Sequence, residues 1–359
     1  MAKTDPEHAP LALPLPPRAL TRLADLAAAG LVAPGEAAAL EAVAARYAVS
    51  VTPAMAALIE GREDPIGRQF LPALAELDAR PEERADPIGD HAHSPVKGLV
   101  HRYPDRALLK VTHTCPVYCR FCFRREMVGP EGDGNLTEAE LDRAFAHIAA
   151  HPEIVELVVT GGDPLVLSPR RIAALGARAA ALAQLRMIRW HSRVPVVAPE
   201  RITPALVAAL KVPGRAIYVS VHANHAREFT AEARAAVARL ADAGIALLGQ
   251  TVLLRGVNAD AETLAALFTE MAANRIRPVY LHHPDLAPGT GHFRPSLAEG
   301  RAIHAALRGR LSGHAIPAYM LDLPGGFGKV PVSEDHVRAD AEGQVEIRDP
   351  AGRWHAYRG

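Results

Sequence analysis

Residues 107–125, ALLKVTHTCPVYCRFCFRR, join a run of β-forming residues to a loop that holds Cys115, Cys119 and Cys122. A short β-branched run closed by a polar loop predicts a strand. Downstream the pattern repeats, a strand-like run alternating with a helical one. Residues 137–151 (TEAELDRAFAHIAAH) precede IVELVVT (154–160), and 169–184 (PRRIAALGARAAALAQ) precede MIRWHS (187–192). The series continues through TPALVAALK (203–211), AIYVSVH (216–222), EFTAEARAAVARLADAG (228–244), IALLGQTVLL (245–254), DAETLAALFTEMAA (260–273), PVYLHH (278–283) and SLAEGRAIHAALRG (296–309). About six βα units in strict alternation predict a parallel sheet with crossover helices. No GxGxxG follows the first strand, which argues against a doubly wound dinucleotide fold. The expected fold class is α/β, a partial (β/α)6 TIM-like barrel, with function in the loops after the strands.

Working outward, residues 1–95 read as a helical N-terminal segment: ALTRLADLAAAGLV (19–32), EAAALEAVAARY (36–47) and GRQFLPALAEL (67–77), broken by proline. Taken alone it is expected to be a cap without chemistry. The helical period stops in the linker DPIGDHAHSPVKGL (86–99). Residues 96–325 form the expected barrel core and 326–359 a C-terminal segment, in which QVEIRDPAGRWHAY reads as a hairpin turning at Asp349 to Gly352.

With 49% apolar and 22% charged residues, the 359-residue chain can bury a large core. Forty basic residues balance forty acidic ones, so a nucleic-acid partner is not expected. No apolar run approaches the roughly 18–20 residues that span a bilayer. The start MAKTDPEHAP lacks the features of a signal peptide, and a cytoplasmic location is expected.

All three cysteines fall within eight residues, so they carry chemistry rather than a disulfide framework. Spaced CxxxCxxC on one loop, three thiolates can each hold one iron of a 4Fe-4S cluster and leave the fourth iron open to a ligand. Two alternatives remain at this point: a zinc site completed by His113, and a thioredoxin-like pair of Cys119 and Cys122.

CxxxCxxC with an aromatic residue, Phe121, before the last cysteine resembles the signature of radical S-adenosylmethionine (radical SAM) enzymes. The resemblance implies that the open iron chelates S-adenosylmethionine, and that Gly161, Gly162 and Asp163 of GGDP approach its methionine end. The segments SPVKGLVHRYPDRALL, RVPVVAPERITPALV, VLLRGVN, GTGHFRPSLAEG and LDLPGGFGKVPV further resemble the lysine 2,3-aminomutase family. That family also uses pyridoxal 5'-phosphate and converts L-lysine to β-lysine by a 1,2 amino shift.

The resemblance makes Lys329 of PGGFGK the catalytic residue that binds pyridoxal phosphate through its amine, and the residue after it, Val330, departs from a P-loop. It also makes Arg102 and Arg106 the holders of the cofactor phosphate, and Arg124 the partner of the substrate carboxylate. Asp285 and Asp322 would receive the distal ammonium of lysine, two carboxylates that select a long cationic amino acid. A reductant such as flavodoxin or ferredoxin is implied, and a homo-oligomer is left open. Two departures stand out. No cysteine follows Cys122, so the structural zinc and tetramer of larger members are not implied, and LHHPD places His282 and His283 where a tyrosine-containing segment is expected. The short enzyme that makes β-lysine for elongation factor P is the alternative within the family.

Overall fold

The computed structural model describes residues 18–129, 134–333, 335–339, 345–349 and 352–357. The N-terminal decapeptide and the centre of the expected Asp349–Gly352 turn lie outside the described residues.

Nine strands form one sheet in the order in which the chain makes them. They are β1 (Leu99–Tyr103), β2 (Arg106–Thr112), β3 (Glu156–Gly161), β4 (Met187–Ser192), β5 (Ala216–His222), β6 (Ala246–Val252), β7 (Ile276–His282), β8 (Ala318–Leu323) and β9 (Gly328–Pro331). Strands β2 to β8 run parallel, while β1 and β9 are antiparallel additions at the two edges. The six expected strands are β2 to β7. The two edge strands were not read from the sequence, because LVHRY and GKVP span only five and four residues.

Four short N-terminal helices come first: α1 (Leu23–Ala28), α2 (Pro34–Arg46), α3 (Pro53–Ala56) and α4 (Gly67–Phe70). Gly30, at φ 71°, ends the turn after α1, and Pro72 stops α4, since proline cannot donate to the helix and pushes the preceding residue to extended backbone. Both helices are therefore shorter than expected. Their apolar residues do not make a separate core: Leu26, Val43, Met55 and Phe70 belong to one cluster with Leu109 and Trp190 of the sheet.

The crossover helices are α5 (Glu138–Ala149), α6 (Pro169–Ala180), α8 (Pro204–Leu210), α9 (Ala231–Asp242), α10 (Ala261–Ala273) and α11 (Leu297–Ala305); a single turn, α7 (Val194–Val197), follows β4. Thr137, Ser168, Thr203, Thr230, Asp260 and Ser296 each accept a backbone N–H at the start of a crossover helix. A cap of this kind contributes about 1 kcal/mol. A separate antiparallel sheet, β10 (Val337–Ala339), β11 (Val345–Arg348) and β12 (Trp354–Tyr357), contains the expected hairpin as β11 and β12.

The large sheet does not close on itself by a backbone ladder, since β1 and β9 are its two edges. Side chains and loops bridge the seam instead. The Lys329 N–H donates to the Tyr103 hydroxyl at 2.9 Å. Beside it, the linker meets the loop before β9 backbone on backbone: a Cβ on Gly89 would lie 2.4 Å from the nitrogen of Gly326.

Candidate active site

The cysteine loop leaves the C-terminal end of β2 and rests on the loop after β3. Gly162 and Asp163 donate their N–H groups to the carbonyls of Thr112 and Thr114 at 2.6 and 2.9 Å. A Cβ on Gly161 or Gly162 would lie 2.4 Å from those same carbonyl oxygens, so these glycines let the second loop press against the first. Asp163 behaves differently from its expected cofactor role. Its carboxylate accepts from Ser192 Oγ at 2.7 Å and from the N–H groups of Leu165, Arg193 and Val194 at 3.0, 2.7 and 3.2 Å. Four donors saturate the roughly four lone-pair sites of a carboxylate, so Asp163 positions its neighbours and has no oxygen left for a ligand.

One of those neighbours is Arg193, whose Nη1 donates to Cys119 Sγ at 2.9 Å while Nη2 bonds Glu228 at 2.6 Å and Gln69 at 3.0 Å. Burial works against its charge, yet Cys119 and Glu228 raise its pKa above the ordinary arginine value. Burial pushes the Cys115 thiol well up, with Asp163 and the other cysteines adding to it, and takes Cys122 to about 11. Thiols so placed favour a centre that supplies compensating positive charge.

The loop is held from beneath by the N-terminal segment, which caps it without touching a reacting atom. Glu76 receives Arg120 Nη2 at 2.5 Å and also pairs with Arg125, all three side chains being almost wholly buried. Phe121 packs edge-on against His222 and Phe293, with ring centroids 5.8 and 6.1 Å apart.

A second group of side chains gathers at the ends of the later strands. Lys329 on β9 stands opposite Asp322 on β8, Nζ to Oδ2 2.5 Å, with His282 Nδ1 of β7 at 3.3 Å. Its ammonium also lies 5.6 Å from the centre of the Tyr280 ring. Burial, the Lys329 charge and the neighbouring histidines hold His282 far below its usual pKa, and burial with Arg189 and Arg124 does the same to His191 of β4. His222 of β5 falls to about 3, through burial and then Arg193. Asp285 is raised to about 7, first by burial and then by Asp322, against the pull of Lys329, Arg124 and Arg294. The ends of the late strands and the cysteine loop thus bring Asp285, Asp322, Lys329 and Arg124 into one electrostatic field.

Arg124 and Arg102 converge on Asp90 of the linker, at 3.0 and 3.3 Å, and Lys110 approaches it at 3.8 Å. Three cations on one buried carboxylate leave a surplus of positive charge. Arg102 Nε, moreover, is buried without a partner. Both features suit an anion. Arg106 has a different partner, Asp105 at 2.7 Å, and lies over the Tyr103 ring at 3.8 Å, the residue that holds the Lys329 backbone. Asp90, Glu76, Arg193 and the histidines of β4 and β5 were not singled out from the sequence; each acts through a contact between distant segments.

Comparison with known proteins agrees with this geometry. The profile of the Radical SAM superfamily matches residues 109–268, which makes the cysteine loop and the strands around it a radical SAM domain, a class that uses S-adenosylmethionine and an iron-sulfur cluster. A second profile, described as Lysine-2,3-aminomutase, matches residues 304–359. The L-lysine 2,3-aminomutase of Fusobacterium nucleatum is 38% identical over 306 residues, 85% of this chain and 72% of that one. The enzyme of the same name from Acetoanaerobium sticklandii is 38% identical, over 85% of this chain and 73% of its own. That from Escherichia coli is 38% identical over 75% of this chain and 78% of its own. The chain belongs to the lysine 2,3-aminomutase family and is an isomerase of that type. A non-catalytic zinc module is thereby set aside. Among the described residues, no helix is long and apolar enough to cross a membrane.

Proposed function

We propose that the chain is a pyridoxal phosphate-dependent lysine 2,3-aminomutase that moves the amino group of L-lysine from the α to the β carbon. The observation that carries this reading is the Lys329 amine set between Asp322, Asp285 and His282, in the same barrel as the three thiols. When bound, the groups would supply a carbon radical from reductively cleaved S-adenosylmethionine and a conjugated π-system to carry the migrating nitrogen.

The chain's own residues supply the rest. Cys115, Cys119 and Cys122 would hold three irons, with Gly161 and Gly162 bringing the next loop close beneath them. Lys329 would hold pyridoxal phosphate, and it must shed a proton before Nζ can act as a nucleophile; Asp322 Oδ2 and His282 Nδ1 are the acceptors within reach. Arg102 would bind the phosphate with help from Arg106, because a planar guanidinium offers phosphate several donors. Arg124 would orient the substrate carboxylate, and Asp285 with Asp322 would take the distal ammonium. A one-electron donor such as flavodoxin or ferredoxin would feed the cluster.

The deciding experiment is an anaerobic assay of reconstituted enzyme with S-adenosylmethionine, pyridoxal phosphate, a strong reductant and L-lysine, with the lysine isomers separated by chromatography. β-Lysine that forms only when every component is present supports the reading. Cleavage of S-adenosylmethionine without β-lysine would overturn lysine as the substrate.

A further inference from the structure

Outside the barrel, on the face of β1 turned away from Asp90, three histidines meet. Neighbouring residues of a strand point to opposite faces. Arg102 accordingly faces inward to Asp90, while His101 meets the last turn of α5. There His147 of α5 and His151, two residues past the helix end, stack at 4.0 Å with their planes 25° apart, and His101 stands edge-on to both at 5.3 and 5.1 Å. One ring nitrogen from each can be chosen so that all three lie within 4.8 Å of one another.

We propose that His101, His147 and His151 form a binding site for a divalent transition cation, zinc being the probe. Three features separate it from a chance cluster. His101 Nδ1 and His147 Nε2 are hydrogen-bonded at 3.1 Å, close to the roughly 3.4 Å expected of two nitrogens bound to one zinc at about 2.0–2.1 Å, so a cation would take the place of the proton they share and release it to solvent. His151 Nδ1 lies 2.7 Å from the His147 carbonyl, to which only a protonated Nδ1 can bond. That bond fixes the tautomer and leaves Nε2 as a lone-pair donor, the arrangement by which protein backbones orient ligating imidazoles. Finally, three partly buried imidazoles bring no negative charge that would favour calcium or magnesium, whereas imidazole suits zinc, copper and nickel. Three protein ligands leave the fourth position to water or a small anion.

The site ties the edge strand β1 to α5. Because β1 also carries Arg102 and Tyr103, a bound cation braces the strand that faces Lys329 across the seam. It is separate from the cysteine loop and does not depend on the reaction proposed above.

The test uses enzyme whose cysteines are already filled by the reconstituted cluster, titrated with zinc chloride in a calorimeter. One zinc per chain is expected, with His147→Gln and His151→Gln each weakening binding by on the order of 10–100-fold or more. Zinc should raise the melting temperature of the wild type and leave that of the variants unchanged. X-ray absorption at the zinc edge reads the ligands without any substitution: nitrogen or oxygen at about 2.0–2.1 Å is expected, and sulfur near 2.3 Å would overturn the site. Absence of saturable zinc binding to the wild type would overturn it as well.

Discussion

Asp322 and Lys329 face each other across the β8–β9 ladder, with Oδ2 2.5 Å from Nζ. A lysine ammonium therefore already lies in the acidic site proposed for the ammonium of the substrate. When the Lys329 amine engages an aldehyde it gives up this position, and Asp322 becomes available to another cation. Lys329→Ala is expected to abolish the imine absorbance of bound pyridoxal phosphate and all turnover. An unchanged spectrum would remove Lys329 from the site.

Asp285, raised to about 7 by burial and by Asp322, sets a pH dependence. The ionised form attracts an ammonium, so lysine affinity should rise as pH increases through 7, by up to about tenfold per unit below it. The effect on stability has the opposite sign. A carboxyl raised by folding contributes stability that is full below its unfolded value and is lost as pH rises through the folded one. Asp285→Asn should flatten the KM profile near pH 7; a profile that keeps its inflection assigns the titration to another group.

Glu76 and the two arginines of the cysteine loop predict a stability effect. Burial would raise Glu76, yet Arg120 and Arg125 hold it below the ordinary carboxylate range. Its contribution is present above the unfolded value and is lost as pH falls through the depressed one. Glu76→Gln leaves buried guanidinium groups without a counter-charge and should cost about 3–5 kcal/mol, read as a lower denaturation midpoint. A loss below about 1 kcal/mol would mean that water reaches the pair.

Cys119→Ala should remove the 4Fe-4S signal, since two thiols remain. Arg193→Lys is the finer test. It keeps a cation beside Glu228 but loses the fork that reaches Cys119 Sγ and Gln69 together. The cluster should assemble with a lower reduction potential, because hydrogen bonds to sulfur raise it. An unmoved potential in electrochemical titration would confine Arg193 to packing.

The sequence displayed the barrel because six parallel strands and their helices carry strong period-2 and period-3.6 patterns; MIRWHS and AIYVSVH match β4 and β5 end to end. The edge strands escaped because five and four residues are too short a run to display a period. In the site, Cys115, Cys119, Cys122 and Lys329 were legible through motif and spacing. Glu76, Asp90 and Arg193 were not, since each gains its meaning from a partner 30 or more residues away, such as Glu76 with Arg120 and Asp90 with Arg124. His147 and His151 did offer a signal, their four-residue spacing, but His101 joins them only through folding.

The contact between Gly89 and Gly326 sets a mechanical tolerance for the whole centre. The two backbones touch where a methyl group would need space, three residues before Lys329. A linker that holds no reacting atom thus acts as the datum from which the amine is positioned. Enlarging residue 89 by one carbon would displace the tool rather than blunt it: a misplaced amine on an otherwise intact barrel.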